Sequence, residues 1–158
     1  MRAILIALVL LVASPPVVAQ GFAQNISIEL SPEAVEAVDN GVRLKFDARF
    51  AKQKQFWLVR YKKQIKEHSF QLQRHALSRR YVVRRDDIEA PRIFRSINDA
   101  MKFIAGQALQ LLEFYNADSP SINLRLVLDQ YSLPGPMRLN AFISDAWDID
   151  SGWVTVAP

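Results

Sequence analysis

Three aspartates near the C-terminus, Asp145, Asp148 and Asp150, lie among Trp147 and Trp153. Carboxylates this close together suit either a hard cation or acid–base work on a sugar held against an indole ring. The run Asp148-Ile149-Asp150-Ser151-Gly152 partly resembles the opening of a calcium loop, but no glutamate follows to close it in bidentate fashion. The same residues also suit turn chemistry, with aspartates accepting backbone N–H groups while the tryptophans anchor the chain end in the core.

His68 and His75 are the two imidazoles. On a continuous strand their spacing places them on opposite faces, so the pattern does not gather them around one metal ion. A serine triad built on either would need a buried carboxylate partner that the sequence does not identify.

A second constellation is cationic. Arg79, Arg80, Arg84 and Arg85 flank Tyr81, Val82 and Val83. On a strand, Arg80 and Arg84 share one face and Arg79 and Arg85 the other, so the four cannot make one flat patch. They are candidate binding residues for an acidic loop of another protein or for anionic lipid headgroups. The alternative is a solvated edge strand kept from pairing by its charge. Nucleic acid would suit a cytosolic chain with this pattern, and an exported one does not call for it.

The five glycines are scattered at 21, 41, 106, 135 and 152, so neither a dinucleotide fingerprint nor a phosphate-cradling loop can be assembled. There is no cysteine, which removes thiol nucleophiles, thiolate metal sites and disulfides. No catalytic residue and no cofactor is called for, and a non-enzymatic role is the leading expectation.

Charge is unevenly spread. The net is +4, but from Arg43 to Arg85 fourteen Lys or Arg stand against Asp47 and Glu67 alone. One reading is a mixed-charge surface in which the basic middle packs beside acidic ends. The other is a basic face that steers an acidic partner. At the N-terminus Met1 and Arg2 precede the apolar run Ala3 to Ala13, then Pro15, Pro16 and the small-residue stretch Val17-Val18-Ala19. That order predicts an export signal over 1–19, too short to span a bilayer, followed by a single globular domain over 20–158 in the periplasm or outside the cell.

The elements follow from periodicity. Asn25 to Leu30 alternates as a short strand, and Ser31-Pro32-Glu33 opens a helix over about 32–39 that Asn40-Gly41 ends. Val42 to Phe50 alternates strictly, the clearest strand in the chain. Residues 55–66 read as a strand at least to Tyr61, and 68–76 with 79–85 as a hairpin joined near Leu77-Ser78. Arg84 to Pro91 reads as surface loop. A longer helix over about 96–115 carries one apolar face, Ile122 to Leu128 is another strand, Leu133 to Pro136 a turn, and Trp153 to Val156 an edge strand. The fold class expected is α+β, a mainly antiparallel sheet or sandwich with these two helices.

Two stretches resemble a known family. His75 to Val83 and, more specifically, Leu133-Pro134-Gly135-Pro136-Met137-Arg138-Leu139-Asn140-Ala141, continuing through Ser144, Trp147 and Ser151-Gly152-Trp153, are similar to the exported proteobacterial family known as domain of unknown function 4390. The likeness covers nearly all of the chain after the export signal. It implies an exported protein and, because the family's genes often stand near a membrane-bound sensor histidine kinase, such a kinase as partner. It assigns no activity and no site residue. The function expected is therefore a periplasmic interaction module that binds an acidic extracytoplasmic loop of a membrane sensor protein, the alternative being a cation-dependent glycan binder or hydrolase built on the C-terminal aspartates.

Overall fold

The strict alternation of Val42 to Phe50 is realised as β1 (Leu44–Phe56), whose even-numbered residues Leu44, Phe46, Ala48 and Phe50 are fully buried. The computed structural model describes Ile26 and residues 28–118 and 122–155. The expected export signal lies outside these, as do Asn25, Ser27 and Val156 of the expected terminal strands.

Around β1 a six-stranded antiparallel sheet forms from β2 (Val59–Arg74), β3 (Tyr81–Arg85), β4 (Ile88–Phe94), β5 (Ile122–Leu128) and the two-residue β6 (Val154–Thr155), in the order β4-β3-β2-β1-β5-β6. Neighbouring core positions face the same way: Leu44 stands opposite Leu72, Phe46 opposite Phe70 and Leu128, and Phe50 opposite Leu124. That apolar face is covered by α1 (Pro32–Asp39) and the long α2 (Ile97–Asp118), with Val38, Ile104, Ala108 and Leu112 joining the strands in a single core. The other face carries Lys45, Asp47, Arg49 and Arg125, as the period of two requires. The α+β class holds, with helices on one side of a half-solvated sheet.

α1 keeps the expected caps. The Ser31 hydroxyl accepts from the Ala34 N–H at 3.1 Å, Pro32 sits in the first turn, and Gly41 supplies the exit at φ 87°. Its end is tied to the sheet by Asp39, which accepts from the Tyr81 hydroxyl at 2.7 Å and pairs with Arg74 at 3.4 Å.

Four local expectations are corrected. Ile28 to Leu30 forms no strand, and Ile26 is simply buried in the core. The segment read as one strand to Tyr61 reverses at Trp57-Leu58, so β1 and β2 make one long hairpin with Phe56 opposite Val59. Residues 88–91, read as part of a loop, fall in β4; it is the sheet's edge, where the missing N–H of Pro91 costs no ladder bond. The Pro134-Gly135-Pro136 turn opens a third helix, α3 (Gly135–Ala141), since proline in a first turn gives up only an N–H that would have no helical partner.

Candidate functional site

Beyond Phe50 the β1–β2 hairpin leaves the body of the sheet. The register shifts between Phe50, opposite Lys66, and Ala51, opposite Gln64, so Ile65 is an extra residue and the pair bends there. β5 accompanies β1 only as far as Lys52, and β3 accompanies β2 only from Phe70. Every residue of β2 from Val59 to Glu67 is exposed. The result is a two-stranded arm rooted at Phe50 and His68, on the order of 20 Å long at about 3.3 Å per residue.

The arm's composition is unusual for a free hairpin. From Lys52 to Lys66 it carries six cations, Lys52, Lys54, Arg60, Lys62, Lys63 and Lys66, and no acid. Register places Lys52 beside Lys63 and Lys54 beside Tyr61 on one face, with Lys62 and Gln53 on the other, so positive charge surrounds the arm. Its tip is apolar: Trp57, Leu58 and Val59 are 82, 85 and 65 % exposed. A two-residue turn in water ordinarily uses Gly, Asn or Asp, yet here Trp57 takes the positive φ of 54°.

At the arm's flank the Lys62 ammonium stands 4.4 Å from the centre of the Trp153 ring, with the Arg125 guanidinium 5.9 Å from the same ring. Burial and the nearby Arg125 charge hold the Lys62 pKa below the usual lysine value. Trp147, by contrast, is buried in the core, so the two tryptophans flank no common surface.

Of the C-terminal aspartates, Asp150 is already engaged. Both its oxygens accept from the Arg125 Nε at 2.9 Å, and Oδ1 accepts from the Gly152 N–H at 2.9 Å. Hydrogen bonding to Arg125 lowers the Asp150 pKa even against the opposing effect of burial. Asp145 opens a 3-10 turn that its carbonyl closes by accepting from the Asp148 N–H at 3.0 Å. Among the described residues the three carboxylates do not converge on one point.

The arginines are also dispersed. Arg79, at φ 51°, and Arg80 are exposed in the turn before β3, Arg84 is exposed near its far end, and half-buried Arg85 pairs with Asp87 and donates to Gln107 at 2.9 Å. His75 is exposed in the same turn, its Nδ1 accepting from the Ser78 N–H at 3.3 Å.

One group of possible metal ligands does come together: His68, Asp86 and Asp87 offer donor atoms within 4.8 Å of one another. The buried His68 ring places Nε2 2.7 Å from the Tyr115 hydroxyl, while Nδ1, without a hydrogen bond, lies 3.6 Å from an oxygen of each aspartate. Arg85 also binds Asp87 and, despite some burial, holds its pKa below the usual carboxylate value. A cation there would face that guanidinium. Burial and the Asp87 charge raise the Tyr115 pKa, which keeps its hydroxyl protonated as a partner for the imidazole.

No curated protein and no solved structure matches the chain. A family model does, over residues 22–157, so nearly all of the fold described here falls within it: the chain belongs to the family described as Domain of unknown function (DUF4390).

Proposed function

We propose that this chain is an exported interaction module of the bacterial envelope that docks an acidic surface through its β1–β2 arm. The observation that carries the reading is the arm itself, six cations along a hairpin whose exposed Trp57-Leu58-Val59 tip extends beyond the neighbouring strands. A long basic hairpin with an apolar end does little for the core, whereas it presents both long-range attraction and buriable apolar area to a partner. Arg79 and Arg80 lie in the turn after β2, at the end away from the arm tip, and so do not belong to this surface. The N-terminal sequence supports export to the periplasm, and the gene neighbourhood of the family supports a membrane-bound sensor histidine kinase, with an acidic extracytoplasmic loop, as the protein served.

The test is retention in crosslinked envelope fractions at low and high salt. The wild-type protein is expected to be retained at low salt and released at high salt. Lys54→Glu with Lys63→Glu should release it at both, while Arg84→Glu, away from the arm, should matter less. Salt-insensitive retention, or retention unaffected by the arm substitutions, would refute the reading.

A further inference from the structure

We propose that the arm's direct ligand is an anionic phospholipid bilayer, entered tip-first by Trp57, Leu58 and Val59. This rests on the docking role of the arm and names its occupant.

The argument is geometric. A groove or loop of another protein would be met by one face of a ladder, and charge would then be expected on that face. Here cations lie on both faces, Lys52, Lys54 and Lys63 on one and Lys62 on the other, behind a tip of three consecutive exposed apolar residues. Charge on every side of an apolar point matches a planar interface, in which the tip enters the boundary of the acyl chains and the cations meet phosphates all round it. Distances agree: Lys54, Arg60 and Lys62 stand two to four positions from Leu58, which is about 7–13 Å along a strand, the depth of a headgroup layer above a shallowly inserted tip. Tyr61, exposed and level with Lys54, adds an amphipathic ring at the depth of the headgroups, where such rings are favoured. Among the described residues no helix is long and apolar enough to cross a membrane. A second exposed apolar group, Tyr131, Leu139, Phe142 and Ile143 about α3, has in its own segment the single cation Arg138, which donates to the Leu133 carbonyl at 3.1 Å, and so does not name its occupant.

The core is assembled from Ile26 onward, so the chain from Gln20 serves for the test. It is floated with phosphatidylcholine vesicles, with and without phosphatidylglycerol, at low salt. Binding is expected to be at least about tenfold tighter with phosphatidylglycerol and to fall about tenfold or more in Leu58→Asp and in Lys54→Glu with Lys63→Glu. Those side chains are exposed, so melting temperatures should not change. Tryptophan emission should shift to the blue on binding in the wild type and much less in Trp57→Phe, which keeps the apolar tip. Binding indifferent to Leu58→Asp would overturn tip insertion. If vesicles are not bound while the arm substitutions still release the protein from envelopes, the lipid assignment falls, the docking role stands, and the partner is an acidic protein. If the arm substitutions alter neither readout, both fall.

Discussion

The His68 Nε2 lies 2.7 Å from the Tyr115 hydroxyl and so joins β2 to α2 where the arm leaves the sheet. The two rings also pack around Phe50, whose centroid is 5.0 Å from that of Tyr115 and 6.1 Å from that of His68. This cluster is the arm's root. Tyr115→Phe keeps the packing and removes the hydrogen bond, leaving a buried imidazole nitrogen without its partner. A loss of about 1–2 kcal/mol is expected, read as a lower urea midpoint and faster amide exchange over residues 66–70.

Phe50→Ala should cost more. Phe50 is fully buried and is the last core residue of β1 before the register shift. Truncation there leaves a cavity beneath the root, for a loss of about 3–5 kcal/mol. Denaturant unfolding of the variant, compared with Tyr115→Phe, checks whether packing outweighs the hydrogen bond in fixing the arm.

The Arg125–Asp150 pair gives a pH prediction. The hydrogen bond from Arg125 lowers the Asp150 pKa in the folded chain below its unfolded value. The ionised form is therefore favoured by folding; its contribution is complete above the unfolded pKa, near 4, and is lost as pH falls through the lower, folded one. Because Arg125 is partly exposed, the contribution is about 1 kcal/mol or less. Asp150→Asn should lower stability at neutral pH and flatten its decline below about pH 4, while leaving vesicle binding intact. Thermal melts from pH 2 to 7 would show it.

Where residue pattern and backbone demand coincide, the elements could be read directly: Val42 to Phe50, the Ser31-Pro32 cap, the apolar stripe of α2 and Ile122 to Leu128. The arm was missed because its turn, Trp57-Leu58, uses none of the residues that normally mark a reversal, and because β2 from Val59 to Glu67 is exposed on both sides and so lacks an apolar alternation. The His68 group was within reach. A hairpin joined near Leu77-Ser78 puts Phe70 opposite Arg85, as observed, and carrying that register two residues further brings Asp87 beside His68. What no spacing could supply is Tyr115, which reaches His68 from α2 through tertiary packing. The Asp150 pairing is similar, since Arg125 belongs to a strand whose neighbours are fixed only once the sheet is assembled.

Trp57→Gly separates stability from docking. At φ 54° a tryptophan occupies the left-handed region at a cost of about 1 kcal/mol, which glycine does not incur. Glycine would meet the backbone demand of the turn at lower cost, so the strain points to a role for the indole beyond the turn's backbone. Trp57→Gly should therefore leave the melting temperature unchanged or raise it, while weakening attachment to phosphatidylglycerol vesicles about tenfold. If melting instead falls sharply and vesicle binding is unaffected, the indole is serving the hairpin itself, and the tip's role in docking would rest on Leu58 and Val59 alone.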